Sequence, residues 1–352
     1  MPEKQRILWI DGLKGILAVI VLLSHLHWAF ISVIDETMIL YKFPFSFFSN
    51  GGVAVAAFIC LSAMIMTLKC RDITKWQGIL LKRYFRLALP ICPIVLIYVL
   101  MWKFGILYNN TLSSIIDNSW LISSTPRSIK TIIKVCLTTP VGAATSYMNT
   151  HWMLKYMLYV PFVVVLLDIL GQDLSWRKQS MIIVICLAVS SILDPWKCNI
   201  FVGYMFAKCF IFEGNVYVKK KWIIFILLVG LIAAYALVEY ATPSMPHGAS
   251  TLKGVILMLF IILCKPIKKL LSSRSLTWLG TISFELYLLH ILVIYSLGCG
   301  MYLYVPYFNH RLLCIYLSVI IISIYISWGW VYVVNRPIDK WLNQLLKYFI
   351  KQ

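Results

Sequence analysis

Residues 9–27 read WIDGLKGILAVIVLLSHLH, an apolar run long enough to cross a membrane, with ionisable side chains near both ends. Lys14 and His25 are eleven positions apart in this run. An α-helix turns about 100° and rises about 1.5 Å per residue, so His25 lies within about 20° of the face of Lys14 and about 16 Å deeper. The pattern predicts a first membrane helix with a cation at the membrane surface and an imidazole near the bilayer centre. Ionisable groups at that depth are costly and usually functional.

The composition of the whole chain supports a membrane protein. Its hydrophobic fraction is 61%, and its mean hydropathy is +0.85, both above the range of ordinary soluble domains. A net charge of +19 would suit nucleic acid, but the basic residues cluster in short loops between apolar runs, as the positive-inside rule requires. We therefore expect a multi-pass protein of the cell membrane (a bacterial inner or cytoplasmic membrane) that contacts the lipid bilayer and no nucleic acid. The 10 cysteines form no CxxC pair and no metal-ligand spacing, which predicts buried free thiols and no metal.

Apolar runs of about 20 residues predict the fold class: all-α, a polytopic membrane protein with about ten transmembrane helices. The predicted spans are 12–34, 47–69, 87–108, 152–171, 179–197, 198–213, 222–240, 251–265, 280–298 and 312–334. The first run is long enough to stay as a helix and shows no cleavable signal. The polar stretch 109–151 is predicted to be an outer loop with an interfacial or re-entrant helix. Residues 1–352 form one membrane-embedded domain in this interpretation, with an amphipathic tail at 338–352 on the inner surface.

The distribution of basic residues predicts the orientation. With an even number of spans, nearly all of them fall on one side, so both termini should be cytoplasmic. Lys197, Lys253 and Arg311 are among the exceptions. The basic residues assigned to the cytoplasmic side are Lys4, Arg6, Lys69, Arg71, Lys75, Lys82, Arg83, Arg86, Arg177, Lys178, Lys219, Lys220, Lys221, Lys265, Lys268, Lys269, Arg274, Arg336 and Lys340.

His25 is the first candidate for chemistry. A buried neutral imidazole titrates near physiological pH and can take a proton from a hydroxyl, so the residue suits a general base. The alternative is a histidine that only joins helices through a hydrogen bond. Lys14 could instead be a lysine that extends to the membrane surface, and Asp11, three residues earlier, offers it a local ion pair.

Arg83 and Arg86 are the second candidate pair. They are three residues apart in Lys82–Pro90, so they share one face at the mouth of the predicted third helix. Two guanidinium groups there can bind phosphates bidentately. Ordinary positive-inside charge would explain the same residues.

The predicted ninth helix carries a polar stripe of Ser283, Tyr287 and His290 at spacings i, i+4 and i+7. It could serve catalysis or only join helices. Glu285 points elsewhere and needs a partner if it lies in the bilayer. Trp152 is predicted to lie near the outer surface, where Trp residues commonly belong to the aromatic belt of a membrane protein.

Together these motifs resemble the acyltransferase-3 family of membrane proteins. Asp11–Gly15 with His25 is similar to the family's basic-residue-x10-His signature, and Arg83-x-x-Arg86 with Pro90 resembles its arginine motif. Gly52-Val53 through Leu61-Ser62 resembles its glycine and serine motif on the second helix. Gly280-x-Ile282-Ser283 through Tyr287-Leu288-Leu289-His290 is similar to its G-x-S-x-x-x-Y-L-x-H element. Many members also carry Glu-x-Pro near the end, where this chain has Asn335-Arg336-Pro337.

The resemblance implies an O-acyltransferase that moves an acetyl group from acetyl-CoA to a hydroxyl of a surface polysaccharide or lipid-linked sugar, with no permanently bound cofactor. It implies donor binding by Lys14, Arg83 and Arg86. His25 would act as general base or briefly carry the acyl group, and the sequence leaves both routes open. His290 and Tyr287 would position the acceptor or stabilise the oxyanion. The residues expected to support the site are Asp11, Ser62, Trp152 and Ser283.

Two other hypotheses fit the same residues. A transporter or flippase of lipid-linked sugars would also have about ten helices and polar groups inside the membrane. An inactive relative that only senses or scaffolds is the third.

Overall fold

The computed structural model describes residues 7–34, 50–69, 76–126, 128–142, 147–148, 150–212 and 246–350, with isolated positions between 229 and 237. It is 87% helical, and no strand occurs in the described part of the chain, so the predicted all-α class is confirmed. The α-helices are α1 Leu8–Phe30, α2 Gly51–Lys69, α3 Trp76–Lys103, α4 Asn109–Ile116, α5 Ile129–Thr138, α6 Leu154–Gly171, α7 Trp176–Leu193, α8 Pro195–Phe206, α9 Pro246–Leu263, α10 Lys265–Leu271, α11 Arg274–Thr281, α12 Ser283–Val293, α13 Cys299–Tyr304, α14 Arg311–Trp330 and α15 Arg336–Ile350.

Six helical segments among the described residues are long and apolar enough to cross a membrane, against the ten predicted. They are Leu8–Val33, Gly51–Leu68, Trp76–Lys103, His151–Gly171, Ser283–Tyr304 and Arg311–Leu345; His247–Leu263 is a shorter apolar helix. The predicted spans 179–197 and 198–213 are helical as α7 and part of α8. However, α7 opens with the polar sequence WRKQS, and α8 has only 12 residues. Most of the predicted span 222–240 lies outside the described residues.

Two of the differences between the observed and predicted helix boundaries affect candidate residues. The third helix begins at Trp76 rather than at 87, so Lys82, Arg83 and Arg86 lie on its first turns and not in a loop. Its interior Pro90 and Pro93 are compatible with a membrane helix, because neighbouring groups can satisfy the freed carbonyls. The predicted ninth helix, 280–298, is interrupted at Ile282, where the backbone leaves the helical conformation (φ −110°, ψ 5°) between α11 and α12. A π-helical turn, Ile294–Gly298, then joins α12 to α13.

The contacts of the chain define two compact units. The first contains 1–17, 52–80 and 159–280. Within it α8 packs on both α7 and α9. The first half of α1 runs against α11 at small residues: a Cβ on Gly15 would lie 2.7 Å from the backbone nitrogen of Gly280. Such close backbone approach at small residues is typical of membrane helix packing.

The second unit contains 18–51, 81–158 and 281–352. Its framework is α12 packed on α14, and α13 lies against α4. The start of α2 approaches the end of α1, because a Cβ on Gly51 would lie 2.7 Å from Oγ of Ser24.

The stretch 109–151 contains the short helices α4 and α5 with 3₁₀ turns. Its location outside the membrane stays a prediction. Near the C-terminus, a π-helical turn, Val331–Asn335, joins α14 directly to α15. Helix α15 begins two residues before the predicted amphipathic tail and covers it up to Ile350, the last described residue.

Candidate active site

His25 and His290 meet in the second unit, although 265 residues separate them in sequence. Nδ1 of His25 lies 2.7 Å from Nε2 of His290, which is hydrogen-bond distance. His290 is fully buried on α12, and His25 on α1 is only half-buried. Two predicted catalytic residues therefore form one pair in which His25 is the more accessible partner.

The two imidazole rings lie edge to edge. Their planes differ by 9°, and their centroids are 5.0 Å apart. The centroid separation equals the 2.7 Å between the two nitrogens plus about one ring radius at each end. Both nitrogens therefore lie on the line that joins the two centroids, so the rings share a plane and do not stack face to face. A ring N–H in this arrangement points directly along the lone pair of the other ring, which is the favourable geometry for a hydrogen bond.

A segment between α4 and α5 covers the other side of His25. The indole of Trp120 lies 5.6 Å from the imidazole of His25, with an angle of 26° between the planes. The neighbouring Asn118 fixes this segment: its Nδ2 donates to the backbone oxygens of Trp28 (2.8 Å) and Ala29 (3.1 Å). These carbonyls belong to the last turn of α1 and have no partner within the helix. The end of α1 and the indole beside His25 are therefore held together.

Tyr287 and His151 lie next to the histidine pair. Tyr287 contacts His290 at a centroid distance of 6.2 Å and His151 at 6.5 Å. Its hydroxyl donates to the backbone oxygen of Thr150, and Nε2 of His151 lies 3.3 Å from the backbone oxygen of Leu288. Because the single hydroxyl proton of Tyr287 is used by Thr150, oxyanion stabilisation by Tyr287 would require this hydrogen bond to break. In this structure Tyr287 anchors α12 to the start of the 151–171 helix.

Arg83 and Arg86 lie one turn apart on α3 and have different partners. Nε of Arg83 donates to the backbone oxygen of Met157 at 3.3 Å, and the side chain is half-buried. Arg86 is exposed and faces Asp339 of α15: Nε is 3.4 Å from Oδ1, and Nη2 is 3.4 Å from Oδ2. Its planar fork thus meets two oxygens of one anionic group, which is the geometry in which guanidinium binds carboxylate or phosphate.

Glu285, which was expected to need a polar partner, is hydrogen-bonded to Asn335. Asn335 donates to Oε1 of the Glu285 carboxyl group, which is buried near the start of α12. Asn335 stands where many members of the resembled family carry an acidic residue. An amide can donate to Glu285, whereas a carboxylate there would repel it.

The remaining predicted residues lie as follows. Lys14 and Asp11 form the expected ion pair at 2.6 Å, within the first unit. Ser283 is buried at the start of α12, and Ser62 is half-buried on α2. The side chain of Trp152 is 42% exposed and lies edge-on to Tyr156, which agrees with an interfacial aromatic residue.

Sequence reasoning missed Trp120, Asn118 and Asp339. A second polar network, in the first unit, was also missed: the hydroxyl of Tyr204 accepts from Gln179 and donates to Asp168, each at 2.8 Å. Lys208 pairs with the same carboxylate at 3.1 Å. Because its groups satisfy one another, this network is a structural cluster within the helices.

The family model described as "Acyltransferase domain", that of the acyltransferase-3 family, matches residues 7–345. No curated protein and no solved structure matches the chain. The family match covers nearly the whole chain, so the chain belongs to the acyltransferase-3 family and is a multi-pass membrane protein.

Proposed function

We propose, from this membership, that the protein transfers an acetyl group from cytoplasmic acetyl-CoA to a hydroxyl of a cell-surface polysaccharide or lipid-linked sugar. The observation that carries the proposal is the His25–His290 pair, an imidazole held at 2.7 Å by a second imidazole inside the membrane. A base inside the membrane, accessible on one side, suits removal of a proton from an acceptor hydroxyl.

The donor's phosphates are assigned to Arg83 and Arg86. The guanidinium of Arg86 already meets two oxygens of Asp339, a carboxylate that occupies the position a phosphate would take. A phosphate carries more negative charge than a carboxylate and can displace it from an exposed pair. Donor binding by Lys14 stays a prediction from the sequence.

The reaction at His25 is then an acyl transfer. The acceptor hydroxyl gives its proton to His25 as its oxygen attacks the thioester carbonyl. The carbon–sulfur bond breaks, and coenzyme A leaves as a thiol after taking up a proton. In the alternative route His25 carries the acyl group for one step, as histidine can in nucleophilic catalysis.

The donor route requires the start of α3 to face the cytoplasm and the α4–α5 segment to face outward. We therefore expect a membrane-impermeant thiol reagent to label Ser114→Cys in intact cells and to leave Gln77→Cys unlabelled, since both side chains are exposed. The background should carry Cys314→Ser, because Cys314 is exposed, and Cys70→Ser, because Cys70 lies seven positions from Gln77 in the sequence. Permeabilised cells provide the control, in which both cysteines should react. Labelling of Gln77→Cys alone in intact cells would invert the topology and place the arginines on the wrong side for a cytoplasmic donor.

Coenzyme A is expected to stabilise the purified protein in detergent, because a ligand that binds only the folded state adds about 2.7 kcal/mol at 100 times its Kd. The measurement is a thermal melt with increasing coenzyme A. Pantetheine, which lacks the phosphates and the adenosine, is the matched control and should leave the Tm unchanged. A transporter of lipid-linked sugars should show no shift with either compound, so an unchanged Tm in coenzyme A would favour that class.

A further inference from the structure

We infer that His290 is a positioning residue that holds His25 in the tautomer with a proton on Nδ1, so that Nε2 of His25 is the atom that receives the acceptor's proton. The inference rests on the proposed function. The sequence suggested that His290 contacts the acceptor directly. In this inference His290 instead acts through His25.

The tautomer of His290 is fixed by α12 itself. Nδ1 of His290 lies 2.9 Å from the backbone oxygen of Leu286, one turn earlier. A carbonyl oxygen only accepts, so Nδ1 of His290 must carry a proton. Within the described residues no carboxylate pairs with this fully buried ring, and a buried charge without a partner is costly. His290 is therefore neutral, and its Nε2 is an acceptor.

The tautomer of His25 follows from that of His290. Because Nε2 of His290 has only a lone pair to offer, Nδ1 of His25, 2.7 Å away, must donate. The shared plane of the rings points this N–H at the lone pair. Neutral His25 then carries its one ring proton on Nδ1, and Nε2 is left unprotonated.

The free nitrogen of His25 is the reactive one. Nε2 of His25 has no hydrogen-bond partner within the described part of the chain, and the residue is half-buried where His290 is fully buried. His290 cannot serve as the base in this arrangement, since Nδ1 is used by Leu286 and Nε2 by His25.

The hydrogen bond to His290 also favours the charged form of His25. When Nε2 takes the acceptor's proton, the Nδ1–H of the resulting imidazolium becomes a stronger donor to His290. The acceptor oxygen forms its bond to the acyl carbon, the carbon–sulfur bond breaks, and Nε2–H returns the proton to the coenzyme A thiolate. His290 stays neutral throughout.

Nitrogen NMR of histidine-labelled protein in detergent tests the tautomer without any substrate. The chain has 6 histidines, and the His25 signals are those lost in His25→Gln. Protonated and unprotonated ring nitrogens resonate far apart, so the spectrum should show His25 protonated on Nδ1 and bare on Nε2. In His290→Met, which keeps volume but offers no nitrogen acceptor, protonation should move toward Nε2. A proton on Nε2 of His25 in the wild type would overturn the inference, whether or not the protein transfers acyl groups.

The acyl-transfer activity of two His290 variants distinguishes a hydrogen-bonding role of His290 from a packing role. His290→Gln can place a carbonyl oxygen where Nε2 stood, whereas His290→Met of similar size cannot. We expect His290→Met to lower kcat for acetyl transfer into the glycan fraction of the expressing membranes by about 10²-fold, with KM for acetyl-CoA unchanged. His290→Gln should retain activity within about tenfold of wild type. Equal losses in the two variants would assign His290 to packing and refute the positioning role. A wild type without transfer activity but with the expected NMR tautomer would instead refute the proposed function.

Discussion

Replacing His25 with alanine is expected to lower acetyl transfer by at least about 10²-fold, the smaller end of the contribution of a positioned general base. If His25 carries the acyl group, the loss is larger, because no other nucleophile replaces it. The measurement is transfer of label from radioactive acetyl-CoA to the glycan fraction of membranes that contain the variant.

Folding should be little affected by this substitution. A polar group that joins membrane helices contributes only about 0.6–2 kcal/mol, so the variant should insert and purify as the wild type does. His27→Ala is the matched control, since it removes the same side chain two positions later on α1. It should keep most of the activity. Retention of more than about a tenth of wild-type activity by His25→Ala would remove His25 from the chemistry.

The sequence indicated the candidate residues of the site better than it indicated the residues that contact them. His25 stood out because an ionisable residue is rare in an apolar span, and the stripe of Tyr287 and His290 follows helical periodicity. Both are local signals. Trp120 lies in a polar stretch 95 positions from His25 and carries no periodic signal, so only tertiary packing brings it to the imidazole.

The arginine motif was likewise visible in the sequence, whereas the partner of Arg86 was not. The spacing of Arg83 and Arg86 predicted a shared helical face, and α3 provides it. Asp339, however, lies in an amphipathic tail whose pattern indicates only a surface helix. The ion pair of Arg86 joins positions 253 residues apart, a separation that local periodicity does not encode. Within the described residues, α7 and α8 are helical but do not have the apolar length of a membrane span, which is why they fall outside the six candidates. Most of the predicted span 222–240 lies outside the described residues, so the count of ten stays a prediction.

Arg86→Lys is expected to weaken coenzyme A binding by about 10–100-fold, the range for the loss of one hydrogen bond to a charged group. Lysine keeps the charge but cannot present two N–H groups to two oxygens, as Arg86 does to Asp339. The measurement is the Kd of coenzyme A for purified protein in detergent. Arg177→Lys makes the same chemical change at an exposed residue at the start of α7 and should leave the Kd unchanged.

Replacing Asp339, the partner of Arg86, should change the affinity for coenzyme A in the opposite direction. If Asp339 occupies the position of the phosphate, Asp339→Asn removes a competing anion from the fork, and coenzyme A should bind more tightly than to wild type. Both side chains of this pair are partly exposed, at 57% and 37%, so water already screens their attraction and the gain should be a few-fold at most. Equal affinity in wild type and Arg86→Lys would mean that the arginine motif only sets membrane orientation. Weaker binding in both Arg86→Lys and Asp339→Asn would mean that the pair acts by attaching α15 to α3, not by holding phosphate.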